Sequence, residues 1–156
     1  MRILLIEDDA FKAKRICAFL QEKFPSHKTI IGRSVSAGLS KLFDAPAPDI
    51  VLLDMSLSTF DVGPRETGGR PQNFGGISIL DHMLRKKLHL PVVVITQFES
   101  FPKGNQEVGL DDIRTDLANR FSGIFKGLIY YNSRETHWEA DLTDLLNNSG
   151  VKREAS

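Results

Sequence analysis

The chain has 156 residues, a length that suits one domain around one hydrophobic core. Twenty basic residues cancel twenty acidic ones in a chain that is 41% hydrophobic and 26% charged, so charge gives no case for nucleic acid or an anionic membrane as partner. Cys17 is the only cysteine, which excludes an internal disulfide and suits a reducing compartment.

The first apolar run, RILLI at 2–6, lacks polar alternation and reads as a strand covered on both faces. It stops abruptly at three acids, Glu7, Asp8 and Asp9. Met1–Ile6 is too short for the apolar region of a secretory signal, and no run approaches bilayer-spanning length, so a soluble cytoplasmic domain is expected. Phe11, Ile16, Phe19 and Leu20 space as a helix, with Asp9 as its cap and Cys17 as a buried, unreactive thiol.

A weaker apolar run, KTIIG at 28–32, precedes a helical pattern of Val35, Leu39 and Leu42/Phe43. The third run, DIVLLD at 49–54, closes on Asp54. From Ser56 to Gly76 the chain is rich in Gly and Pro without apolar periodicity, which predicts a binding loop or lid. Its GGRPQNFGG stretch lacks the Gly-Lys-Ser/Thr ending of a phosphate-binding loop, and Asp61 and Glu66 within it read as solvated acids. Ile77, Leu80, Leu84 and Leu88 predict a third helix, and PVVVIT at 91–96 a fourth strand closing on Thr96.

A second long loop is expected over 97–109, then a helix carrying Ile113, Leu117 and Phe121, then a fifth strand, GLIYY at 127–131. Asn132 and Glu135 suggest a capping box for the last helix, whose apolar stripe is Trp138, Leu142, Leu145 and Leu146. Gly150 is expected to close it and 151–156 to form a flexible tail. His27, His82, His89 and His137 show no metal-ligand spacing.

Strands alternating with helices argue for a doubly wound α/β sheet, in which ligands bind beyond the carboxyl ends of the strands. Glu7, Asp8, Asp54 and Thr96 all fall at such ends and would face one crevice. Clustered carboxylates raise one another's pKa unless a cation sits among them. Oxygen-only ligands suit Mg²⁺ better than zinc, and an Asp beside such an ion can attack phosphorus to give an acyl phosphate. The metal and a nearby hydroxyl would stabilise the charge on the group in transfer.

Together, ILLIEDD, PDIVLLDMSL, GGISIL and LPVVVIT, in this order and spacing, resemble the receiver domain of bacterial two-component response regulators. The resemblance covers nearly the whole chain. It implies a five-stranded parallel sheet of order 2-1-3-4-5 with helices on both faces, in one domain over 1–150 with an inserted loop at about 56–74. It makes Glu7 and Asp8 an acidic pair with Asp8 a direct Mg²⁺ ligand, Asp54 both ligand and phosphoacceptor, and the backbone carbonyl of Ser56 a further ligand. Thr96 would hydrogen-bond the phosphoryl group.

This chain also departs from the family. A lysine usual at the end of the fifth strand falls on Tyr131, or on Asn132 if the register is one off. Lys126 opens that strand, near the opposite edge. Arg65, Arg70, Lys103 and Arg134 are the candidates to supply a cation instead. The family's switch aromatic maps to Leu128, with Tyr130 expected on the other side of the strand, and Ser58 stands where a proline is common.

The resemblance implies a phosphoacceptor that takes a phosphoryl group from a histidine kinase or phosphotransfer protein and signals by contact with a downstream protein. No nucleic-acid or membrane partner is expected, and a homodimer is kept open. The alternative is a degenerate receiver that binds proteins without phosphorylation. A Mg²⁺-dependent phosphohydrolase is disfavoured because Ser56 stands where such an enzyme would want a second Asp.

Overall fold

The apolar runs become strands because both of their faces are covered, and a computed structural model describes this for residues 1–58, 71–72, 75–97, 100–103 and 106–149. In chain order the elements are β1 (Arg2–Ile6), α1 (Ala10–Lys23), β2 (Lys28–Gly32), α2 (Val35–Phe43), β3 (Ile50–Leu53), β4 (Leu57–Ser58) and β5 (Pro71–Gln72). They continue with α3 (Gly75–Arg85), β6 (Val92–Thr96), β7 (Ser100–Lys103), β8 (Gln106–Gly109), α4 (Leu110–Arg120), β9 (Phe125–Tyr130) and α5 (His137–Asn148).

Five strands form one parallel sheet of order β2-β1-β3-β6-β9, which is the expected 2-1-3-4-5 arrangement. Side chains along each strand alternate between two apolar layers. Leu4, Ile6, Val51, Leu53, Val94 and Leu128 pack against α2, α3 and α4. Ile3, Leu5, Leu52, Val93, Ile95 and Ile129 pack against α1 and α5. Each fully buried Leu or Ile contributes about 1.5–3 kcal/mol, so the two layers fix the strand register and with it the positions of the strand ends.

The sheet reverses direction at β1, with β2 on one side and β3 on the other, so the crevice opens at the carboxyl ends of β1 and β3. The ladder runs one residue past each strand there. The Glu7 N–H donates to Gly32 O at 2.9 Å and the Asp54 N–H to Ile6 O at 3.0 Å. The glycine pair that opens α3 lets that helix press against the chain just after β3. A Cβ at Gly76 would stand 2.6 Å from Asp54 O and 3.0 Å from Met55 Cα.

Several expectations need correcting. In α1 the buried residues are Lys12, Ala13, Ile16, Phe19 and Leu20, whereas Phe11 is 84% exposed. Phe11 and Ile16 are five residues apart, about 140° around a helix, whereas Lys12 and Ile16 are separated by about 40°. Leu84, at 41% exposed, likewise lies outside the buried stripe of α3, which runs through Ile79, Leu80 and Met83.

The last helix begins at His137 with Thr136 as its cap, not at Asn132. Asn132 turns the chain instead, its side-chain oxygen accepting from the Arg134 N–H at 2.9 Å, the local geometry that Asn favours in turns. The stretch expected as a loop over 97–109 contains an antiparallel ladder of β7 and β8. The ends of the inserted segment pair as β4 and β5. The rest of that segment, with Asp61 and Glu66, lies outside the described residues, as do Gly150 and the tail 151–156.

Candidate functional site

Period-two alternation after Leu5 turns Glu7 toward the α1 side of the sheet, and Asp54 follows Leu52 to the same side. Both carboxylates are buried, Glu7 at 2% and Asp54 at 4% exposed, while Asp8 is exposed at the mouth. One oxygen from each lies within 4.8 Å of the others, the only such cluster of metal-ligating side chains among the described residues. Thr96 closes β6 with its side chain fully buried, beside Tyr130 in the β6–β9 register. Ser56 is half-buried, two residues beyond Asp54, and its backbone N–H hydrogen-bonds the Asp54 carboxylate.

A cation already sits among these acids, and it comes from α1. Asp9 caps that helix, its Oδ1 accepting from the backbone N–H groups of Phe11 and Lys12. The cap sets the helix so that Lys12 points into the protein. The Lys12 ammonium donates to the carbonyl of Ile95 at 2.7 Å and forms ion pairs with Glu7 Oε2 at 2.6 Å and Asp54 Oδ1 at 3.3 Å. It also stands 5.7 Å from the centre of the Tyr131 ring. Among the described residues Asp54 Oδ1 is buried without a hydrogen bond of good geometry, and the Lys12 ion pair is the contact that faces it.

Among the described residues three carboxylates face one ammonium, which leaves them short of positive charge. Burial, the largest cause, pushes Glu7 up to about 8, with the Asp54 charge adding to the rise and Lys12 opposing it. Asp54 is pushed up as well, first by burial and then by Asp8, against the pull of Lys12 and the Ser56 N–H. Both acids therefore gain from any further cation that enters the crevice.

Of the cations expected to reach the site, Arg134 is exposed on the turn before α5, and Arg65, Arg70 and the side chain of Lys103 lie outside the described residues. Tyr131 stands where the sequence resemblance sought a lysine, but it is buried. Its ring packs 5.3 Å from Trp138 and its hydroxyl accepts from Arg15 at 3.1 Å. Leu128 is buried in the layer facing α4, and strand alternation puts Tyr130 on that same side, not the opposite one. Lys12 was missed although a signal was present: it begins the stripe 12-16-19-20, and a lysine at the head of an apolar stripe asks for a buried partner.

No protein-family model matches the sequence. The "Detocs response regulatory protein DtcB" of Vibrio alginolyticus is 32% identical over 148 residues, covering 92% of this chain and 98% of that protein. The chain belongs to the response regulator family. This receiver is also 24% identical over 143 residues to the protein of the same name from Enterobacter cloacae (strain JD6301), covering 91% of this chain and 95% of the relative. Its fold matches the crystal structure of the Mn²⁺-bound form of response regulator Rcp1, with a TM-score of 0.62, 18% identity and 99% of each chain covered. Among the described residues of the receiver no helix is long and apolar enough to cross a membrane.

Proposed function

We propose that the receiver is a phosphoacceptor and that Asp54 is the residue phosphorylated. The observation that carries this is Asp54 itself, a carboxylate held at the switch point of the sheet, buried at 4% exposure, with one oxygen that accepts no hydrogen bond of good geometry among the described residues. A carboxylate oxygen of Asp54 attacks the phosphorus of a phosphorylated histidine. The P–N bond breaks and the imidazole leaves with its electron pair, so an acyl phosphate forms without an oxidant or a second substrate. The donor is a histidine kinase or a phosphotransfer protein, and the output is an altered contact with a downstream protein. This is signalling chemistry and not substrate turnover, and it belongs in the cytoplasm.

The donor set fits a hard divalent ion, because every side chain in the cluster offers oxygen and none offers sulfur or imidazole. Asp8 and Asp54 would hold Mg²⁺ directly, with the Ser56 carbonyl, and Glu7 would act beside them. Rcp1 of the same fold takes Mn²⁺, an ion of similar ligand preference. When bound, the ion would neutralise charge on the transferring phosphoryl group. Thr96, at the end of β6, would offer its hydroxyl to a phosphoryl oxygen and carry the change into β6.

Intact-mass spectrometry after incubation with acetyl phosphate and Mg²⁺ tests the proposal. One added phosphoryl group, absent in Asp54→Asn and in chelator, is the expected result. A protein that takes no label from acetyl phosphate or from a phosphorylated donor, and binds its partner equally well as Asp54→Asn, would instead be a phosphorylation-independent binding module. Continuous release of phosphate from a monoester would point to a hydrolase.

A further inference from the structure

Lys12 is a buried ammonium, a rare placement for a lysine that calls for partners on every side. It donates to the Ile95 carbonyl at 2.7 Å and is ion-paired with Glu7 Oε2 at 2.6 Å and with Asp54 Oδ1 at 3.3 Å. Asp54 Oδ1 accepts no hydrogen bond of good geometry among the described residues. The ammonium and an unsatisfied acceptor oxygen thus face each other at the proposed nucleophile. Two short contacts hold the ammonium in place, so its charge is fixed before any reaction begins.

We propose that Lys12 is a catalytic cation of the receiver, and that its ammonium pairs with the phosphoryl group carried by Asp54. The inference rests on the phosphoacceptor reading and adds a residue to it. Phosphorylation puts anionic oxygens on the carboxylate that Lys12 already faces. In a buried site a charge-assisted bond to those oxygens is stronger than the same bond in water. The cation therefore reaches the site from the start of α1, and the end of β9 is free to pack Tyr131 against Trp138.

A merely structural Lys12 and a catalytic one differ in what their loss does to metal binding. Lys12→Met and Lys12→Gln are to be compared with the unaltered chain in two assays: the rate of labelling by acetyl phosphate with Mg²⁺, read by intact mass, and Mg²⁺ affinity, read by calorimetry. The expected result is labelling slower by on the order of 100-fold, typical for loss of one preorganised donor, with Mg²⁺ bound as tightly or more tightly because a competing charge is gone. Labelling at the unaltered rate overturns the inference. So does parallel loss of labelling and Mg²⁺ binding in a folded variant, which would make Lys12 structural only.

Should neither variant fold, the unaltered protein decides. The ¹⁵N resonance of the Lys12 ammonium is expected to shift when beryllofluoride and Mg²⁺ are added, and an unmoved resonance in protein that binds beryllofluoride overturns the inference. An unaltered protein that takes neither label nor beryllofluoride sinks the phosphoacceptor reading itself, and the role of Lys12 with it.

Discussion

Lys12 and Glu7 meet at 2.6 Å with side chains only 1% and 2% exposed. The lysine belongs to a helix and the glutamate to a strand end, so the contact ties α1 to the sheet at the mouth of the crevice. A carboxyl oxygen can accept from the ammonium whether or not Glu7 carries a proton, so titration of the acid need not break the contact. What changes with pH is how much uncompensated negative charge the site holds.

Stability of Lys12→Met should depend strongly on pH. Removing one member of a buried pair costs about 3 kcal/mol when its partner stays charged. Without Lys12 to hold its pKa down, Glu7 keeps its proton to higher pH. The loss should therefore grow toward that figure as pH rises above about 8, where Glu7 of the unaltered protein gives up its proton. At about pH 5 the carboxylates can take up protons instead, and the loss should shrink to well under half. Urea denaturation of both proteins at about pH 5 and about pH 9 checks this. An equal loss at both would mean the cost comes from packing of the lysine stem.

In metal-free protein, stability should fall as pH rises. Unfolded, Glu7 loses its proton near 4.5, whereas in the fold it is pushed up to about 8. Between these values the folded state binds more protons than the unfolded one, so the slope of unfolding free energy against pH is negative. The contribution is complete below 4.5 and is lost as pH passes through about 8, and Asp54 is shifted in the same direction. Denaturation midpoints measured in chelator should decline across this window, and Glu7→Gln should flatten the decline. A rising profile would contradict the burial argument.

Gly76→Ala should destabilise the protein by about 2–3 kcal/mol, because the new methyl meets the backbone at Asp54 and Met55, which cannot rotate away. It should also slow labelling of Asp54, since relief of the clash must shift the chain that carries it. Thermal denaturation and intact mass report the two effects. A neutral substitution would mean that α3 can slide away from β3.

The phase of α1 is open to a direct comparison. Phe11→Ser should change stability by less than about 0.5 kcal/mol, since Phe11 is 84% exposed. Ile16→Ala should cost about 2–4 kcal/mol, since Ile16 is fully buried. Similar costs at the two positions would restore Phe11 to the apolar stripe.

The apolar runs carried the sheet legibly because burial on both faces leaves strands such as IVLL no room for a polar residue, and the acids that end them mark the edge of that burial. The long Gly- and Pro-rich connections hid two short ladders, β4–β5 and β7–β8, because ladders of two to four residues leave no periodicity to read. The capping box at Asn132 failed for a local reason, its side chain being engaged in the turn before α5.

By itself the sequence determined the α/β class and the placing of Glu7, Asp8, Asp54 and Thr96 at strand ends, because these follow from hydrophobic pattern and chain order, while the strand order came from the family resemblance. The same resemblance placed Tyr131 or Asn132, neither of them a cation, where the family usually has a lysine. Only the tertiary structure decided which cation meets the acids. That choice depends on the rotation of α1 about its own axis and on its packing across β1 and β6, where a turn of about 100° would exchange Phe11 for Lys12. A buried charge is set by the partners that surround it in space, and Lys12 finds its carbonyl partner 83 residues away along the chain.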